Sequence, residues 1–248
     1  GQLMTLLSVC IFPYAIIQYT NAVLQSHGYA HVPVINMLSV GIVRLAVVYL
    51  LTLYMADLLS TVSEEYYGGG VAALEQLPQN IEAVLGQGNL EKLQYMANRY
   101  SGRHNAFYVG RNIDSAICLE GSLKLKEVAY LHSEAYPAGE LKHGPISMIE
   151  EGTLVVALAT VDPLFDKVMA NIKEVKARGA DVVCITTESR EAEARKFVDH
   201  VITVPNAHPY VRPSLSLIPL QLFAYYVAVN RGCDVDKPRN LAKSVTVE

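Results

Sequence analysis

The chain has 248 residues, of which 51% are hydrophobic and 18% charged, with a formal net charge of −4. That length suits one sizeable domain or one domain plus an appendage, and the mildly acidic balance excludes the basic footprint of a nucleic-acid-binding protein. Cys10, Cys118, Cys184 and Cys233 stand far apart without a CxxC pair. That is the pattern of reduced thiols in a cytoplasmic protein, and neither of a disulfide framework nor of a metal site.

The charge is unevenly spread. Up to residue 56 the only charged side chain is Arg44, set within apolar runs at 3–17 and 32–56. The second run exceeds the roughly 20 residues a helix needs to cross a bilayer. Arg44 near its middle would cost on the order of 3 kcal/mol there, so it needs a cavity, a partner or the interface. No basic region precedes the first run, so a cleaved signal peptide is not expected. Residues 1–56 therefore read as an apolar helical segment, either a membrane hairpin or a pair of buried helices. The stretch TNAVLQSHGYAHVPVINMLSVGIVRLAVVYLL, within residues 14–52, resembles the last helices of polysaccharide flippases of the stage V sporulation protein B type. Such flippases need many more helices, so the resemblance implies no transport by this piece alone.

Residues 57–100 read as a linker and two helices. Ser60, Thr61 and Ser63 are cap candidates and Gly68–Gly70 a breaker. VAALEQLPQNIEAVLG and NLEKLQYMANRYSG then show helical spacing of apolar residues and end in glycine. From residue 101 the texture alternates. NAFYVG, TLVVALAT, DVVCITT and HVITVP are short β-rich runs without polar alternation, as expected for parallel strands covered on both faces. Helical patterns lie between and after them, at about 114–132, 163–178, 190–198 and 213–231. The fold class is therefore α/β, an αβα sandwich with a parallel sheet and right-handed crossovers. In such sheets the ligand crevice lies beyond the carboxyl ends of the strands, which draws attention to the loops after Gly110, Thr160 and Thr187.

The segment EGSLKLKEVAYLHSEAYPAGELKHGP, from Glu120 to Pro145, carries the densest chemistry. On a helix Glu120, Lys124 and Glu127 are i, i+4 and i+7 and share one narrow arc, with Ala116, Leu119, Leu123 and Val128 expected to pack. Two readings stand open. The bland one is a solvated ion pair worth about 0.2–0.5 kcal/mol. The other is a carboxylate base beside an ammonium, which is what moving a proton between neighbouring sugar carbons requires. His143 closes the following loop and could serve as an acid–base group, although a lone histidine is more often structural.

The same segment and the tail GCDVDKPRNLAKSVTVE closely resemble the isomerase region of the glucosamine-6-phosphate synthase family, the isomerising glutamine–fructose-6-phosphate aminotransferases. The resemblance runs from about residue 56 to 248. It implies that residues 101–248 form the second of two sugar isomerase (SIS) subdomains, with a C-terminal tail belonging to the active site. The implied activity is aldose–ketose isomerisation of a hexose 6-phosphate, without metal or redox cofactor. The implied setting is the cytoplasm, as a homodimer or with a full-length synthase subunit. On this resemblance Glu127 is the base between C1 and C2, assisted by Lys124 with Glu120 alongside. His143 is the ring-opening histidine lent across the dimer, and Lys243 engages the open-chain carbonyl. Glu120, Arg239, Asn240 and Ala242 are expected on the substrate side, Arg239 and Asn240 ordering the tail.

The departures matter as much. The family's glutaminase domain, with its N-terminal cysteine, and its first SIS subdomain, with its phosphate-holding Ser/Thr loop, are not expected in a chain that begins at Gly1. Thr160, Thr186, Thr187 and Ser189 lie at strand ends, but beside Asp162, Glu188 and Glu191, which would repel a phosphate dianion. The expectation is the acid–base half of a site, weak or inactive alone. The alternatives are a non-catalytic SIS module, tethered to a membrane through residues 1–56, that binds sugar phosphate or regulates by pairing with a full-length synthase, or an accidental join of two unrelated pieces.

Overall fold

The computed structural model describes residues 47–239. The hairpin expected over 1–56 falls almost wholly outside them, as do Asn240, Ala242 and Lys243. Among the described residues no helix is long and apolar enough to cross a membrane. The chain divides into two compact units between Leu74 and Glu75.

In the first unit, helix α1 occupies 47–58 and α2 runs Glu64–Glu75. Ser63 starts α2 as a cap, its hydroxyl accepting from the Tyr66 N–H at 3.3 Å. The helix continues through Gly68–Gly70, where the sequence suggested a break. Gly70 packs directly on the Leu53 side chain, and that contact accounts for a small residue there.

The second unit opens with α3 (Leu77–Val84) and α4 (Gln87–Tyr100). Strand and helix then alternate: β1 (Asn105–Gly110), α5 (Ile113–Ala129), β2 (His132–Pro137), β3 (Leu154–Ala159), α6 (Phe165–Lys176), β4 (Asp181–Thr187), α7 (Glu191–Ala194), β5 (His200–Val204) and α8 (Arg212–Asn230). The sheet order is β2-β1-β3-β4-β5, every pairing parallel. The uniformly apolar runs became the strands, and β3 is buried along its whole length, because helices cover both faces. On one face Phe107, Val109, Val155 and Val182 pack against Phe165, Val168 and Ile172 of α6. On the other, α5 and α8 lie side by side. Gly121 permits their close approach, since a Cβ there would stand 2.6 Å from Leu220 Cδ1.

Strand β2 was hidden in what read as a loop. HSEAYP is polar and ends in proline, because it is an edge strand pairing only with β1. Ser133 fixes it to α5, sharing hydrogen bonds with the Ser122 hydroxyl and carbonyl at 2.9 Å each.

Candidate active site

Helix α5 buries Asp114, Cys118, Gly121, Ser122, Leu125 and Ala129. These are mostly small residues, so the helix sits close on β1 and α8. The expected packing set is corrected accordingly: Ala116 is exposed, Leu119 and Leu123 are 58% and 41% exposed, and Val128 is half-buried. Leu119 and Leu123 face outward, and Leu125 is the leucine that the helix sends into the core.

That orientation leaves Glu120, Lys124 and Glu127 on a partly covered flank of α5. Lys124 Nζ donates to Glu127 Oε2 at 2.7 Å and stands 3.4 Å from Glu120 Oε1. The three side chains are partly covered, between 25% and 39% exposed. Burial, the largest single influence, pushes the Lys124 ammonium down. The Glu127 hydrogen bond and the two carboxylate charges together outweigh it, so its pKa stands above the usual lysine value. A pair this open adds little stability, typically about 0–1 kcal/mol. What it fixes is geometry: a carboxylate and a charged ammonium sit side by side with an apolar border formed by Leu119 and Leu123.

His143 stands elsewhere. It ends a 3-10 turn, Ala138–His143, pinned from below by buried Ala138 and Leu141. Lys142 ties the turn to α6 through Glu174 at 2.7 Å. Arg111, held by Asn171 Oδ1 at 2.9 Å, lies under Gly139. The imidazole itself is 74% exposed, 3.9 Å from Glu140. Among the described residues no hydrogen bond or ion pair joins it to the Glu120–Lys124–Glu127 group. Arg239 is the last described residue; its N–H donates to the Tyr130 hydroxyl at 2.7 Å and its guanidinium lies over the Tyr130 ring.

The carboxyl ends of β1 and β3, where the fold rule directs a search, are closed by structural ties. Asp114 is buried and accepts from the Thr160 N–H at 2.7 Å and the Thr160 hydroxyl at 2.6 Å. Burial raises the Asp114 carboxyl above its usual value, against the pull of those bonds. Arg212 donates to the Thr160 carbonyl and reaches Asp162 at 2.9 Å. Thr186 and Thr187 are buried too, Thr186 bonding the Ala159 carbonyl. A shallow groove of about 610 Å³, lined by Arg103, Glu151, Gly152, Arg178, Gly179 and Asp181, lies at the opposite, amino ends of β3 and β4. Its Arg103 and Asp181 already face each other at 3.6 Å, and none of the α5 triad lines it. Among the described residues no group of three His, Cys, Asp or Glu side chains could hold a metal ion.

The sequence reading missed Tyr130 and Asp114. Asp114 left a faint signal, an acidic residue in the first turn after GRN. Tyr130 left none, because nothing in EVAYLH marks the end of a helix.

Residues 100–231 match the model of the SIS domain family. Two curated relatives, each a glutamine–fructose-6-phosphate aminotransferase (isomerizing), are close in sequence. The one from Caldanaerobacter subterraneus is 49% identical over 205 residues, covering 83% of this chain and 33% of that protein. The one from Clostridium acetobutylicum is 50% identical over 206 residues, again 83% and 33%. The chain thus spans about a third of the length of the curated relatives it matches. Among solved structures, the C-terminal domain of glucosamine-fructose-6-phosphate aminotransferase from Francisella tularensis superposes with a TM-score of 0.74 at 31% identity, covering 79% of this chain and 55% of that one. A glucosamine-6-phosphate deaminase from Thermotoga maritima, 21% identical with a TM-score of 0.55 over 81% and 56% of the two chains, shares the fold.

Proposed function

The chain belongs to the SIS domain family, and from that premise we propose that it is the acid–base half of a hexose 6-phosphate isomerisation site within a glutamine–fructose-6-phosphate aminotransferase. Glu127 takes the hydrogen from one sugar carbon and returns it to the neighbouring one. Lys124, kept charged by its two carboxylates, offers its positive charge to the enediolate oxygen that develops between the two transfers. Glu120 holds Lys124 from the other side. His143 opens the sugar ring, and because among the described residues no bond links it to the α5 group, it serves the site of a second subunit in a dimer. Lys243 engages the open-chain carbonyl, with Arg239, Asn240 and Ala242 bringing the tail to the sugar. The observation that carries the reading is the Lys124–Glu127 contact at 2.7 Å with Glu120 at 3.4 Å, on the one helix flank that is neither buried nor fully wet.

The phosphate half comes from a second SIS-type unit, since this chain covers 55% of the solved aminotransferase C-terminal domain and commits its own strand-end threonines to the core. That unit also covers Leu119 and Leu123. Binding energy from the phosphate positions the reacting carbons, so the isolated chain should be nearly inactive. The test is to mix it with the separately expressed preceding SIS unit of the Clostridium acetobutylicum relative and follow fructose 6-phosphate turning into glucose 6-phosphate. Interconversion that appears only on mixing supports the reading. No interconversion at any ratio, or full activity of the chain alone, overturns it.

A further inference from the structure

Helix α5 ends on a residue that is unusual for the job. Its C-cap is Tyr130, at φ 53° and ψ 31°. That is the left-handed region, which glycine enters freely and a bulky side chain enters only where its surroundings hold it. Glycine would end the helix with less strain, so the tyrosine side chain must do something glycine cannot.

Its contacts show what that is. The Tyr130 hydroxyl accepts a hydrogen bond from the Arg239 backbone N–H at 2.7 Å. The Tyr130 ring lies beneath the Arg239 guanidinium, with Cζ 4.1 Å from the ring centroid. One side chain therefore grips both the backbone and the side chain of a residue 109 positions away. The ring is the seat of the guanidinium. Tyr130 also follows Glu127 by three residues, less than one turn and about 4.5 Å of helical rise. The residue that stops the carboxylate-bearing helix is thus the one that receives the root of the C-terminal segment.

We propose that Tyr130 is a positioning residue, strained into the left-handed conformation in order to seat Arg239 on the helix end that follows Glu127 by less than one turn. The seat itself is a structural statement. Its consequence for chemistry rests on the proton-transfer reading above.

Three forms of the full chain test it: wild type, Tyr130→Phe and Tyr130→Gly. The readouts are hydrogen exchange at the Arg239 amide, release of the C-terminal peptide by trypsin cutting after Arg239, and thermal unfolding. Tyr130→Phe keeps the ring and loses the acceptor. It should speed Arg239 exchange about five- to tenfold, the equivalent of one hydrogen bond, with tryptic release little changed. Tyr130→Gly relieves the left-handed strain, so the unfolding midpoint should hold or rise while both exchange and tryptic release accelerate further. A residue that only packed the helix end would behave oppositely, lowering the midpoint and leaving Arg239 untouched. Unchanged exchange and cleavage at Arg239 in both variants would overturn the proposal. In the mixed, active enzyme Tyr130→Gly should lower kcat about tenfold or more with hexose phosphate affinity nearly kept. If Glu127→Gln proves harmless there while Arg239 is still released by Tyr130→Gly, the seat stands and the catalytic reading falls.

Discussion

Two polar clusters on α5 invite comparison. At the amino end of the helix, Asp114 is buried and saturated by the Thr160 N–H and hydroxyl, with Arg212 closing the loop above it. On the outer flank, Lys124 joins Glu120 and Glu127 under partial cover, bordered by exposed leucines. The first lies where a doubly wound sheet ordinarily binds its ligand, yet it is an internal tie between two strand ends. The second stands off the sheet on a helix flank, yet its groups are assembled without being used up. Burial and satisfied hydrogen bonding mark a structural role. Charges brought together at little gain in stability are the arrangement that the proposed proton transfer would use.

The sharpest way to break that comparison is to cross the variants. In the mixed enzyme, Glu127→Gln should cut isomerisation by roughly 10²- to 10⁴-fold, the span of general acid–base catalysis, while its unfolding free energy stays within about 0.5 kcal/mol of wild type. A steady-state assay beside a urea titration reads both. Asp114→Ala should do the reverse to the isolated chain. It strands the buried Thr160 N–H and hydroxyl, and stability should fall by about 1–3 kcal/mol.

Asp114→Asn sharpens the first region further. Burial raises the native Asp114 carboxyl above its unfolded value of 3.8. Such a group contributes stability below the unfolded pKa and loses it as pH rises through the folded one. Replacing it with an amide, which can still accept from the Thr160 N–H, should therefore be neutral or stabilising at pH 7, and the gain should vanish toward pH 3.8. Urea titrations at the two pH values check the sign. The smallest effect belongs to the second region: Lys124→Gln should change the unfolding free energy by less than about 1 kcal/mol, measured in the same way.

Much of this was legible beforehand, for local reasons. The strands β1, β3, β4 and β5 announced themselves because sequences buried on both faces cannot alternate. The grouping of Glu120, Lys124 and Glu127 was legible because i, i+3 and i+4 geometry needs no tertiary information. Which flank of α5 faced inward was not. Apart from Leu125, the buried flank is made of Asp114, Cys118, Gly121, Ser122 and Ala129, small or weakly hydrophobic residues, so Leu119 and Leu123 pointed to the wrong flank. Edge strand β2 was missed because half its surface is open and its sequence is correspondingly polar. The Tyr130–Arg239 pairing joins two distant points by a conformation that no local propensity favours, and only coordinates could bring it out. The separation of His143 from the triad has the same origin.

One measurement bears most directly on Glu127 as the base: deuterium entering, from D₂O, at the sugar carbon whose hydrogen moves between C1 and C2. With the mixed enzyme and fructose 6-phosphate, wild type should incorporate deuterium measurably during isomerisation, because the hydrogen rests on an exchangeable carboxylate between the two transfers. Glu127→Gln should incorporate essentially none while still binding the sugar phosphate. Equal incorporation by the two proteins would show that the carboxylate on α5 is not the base.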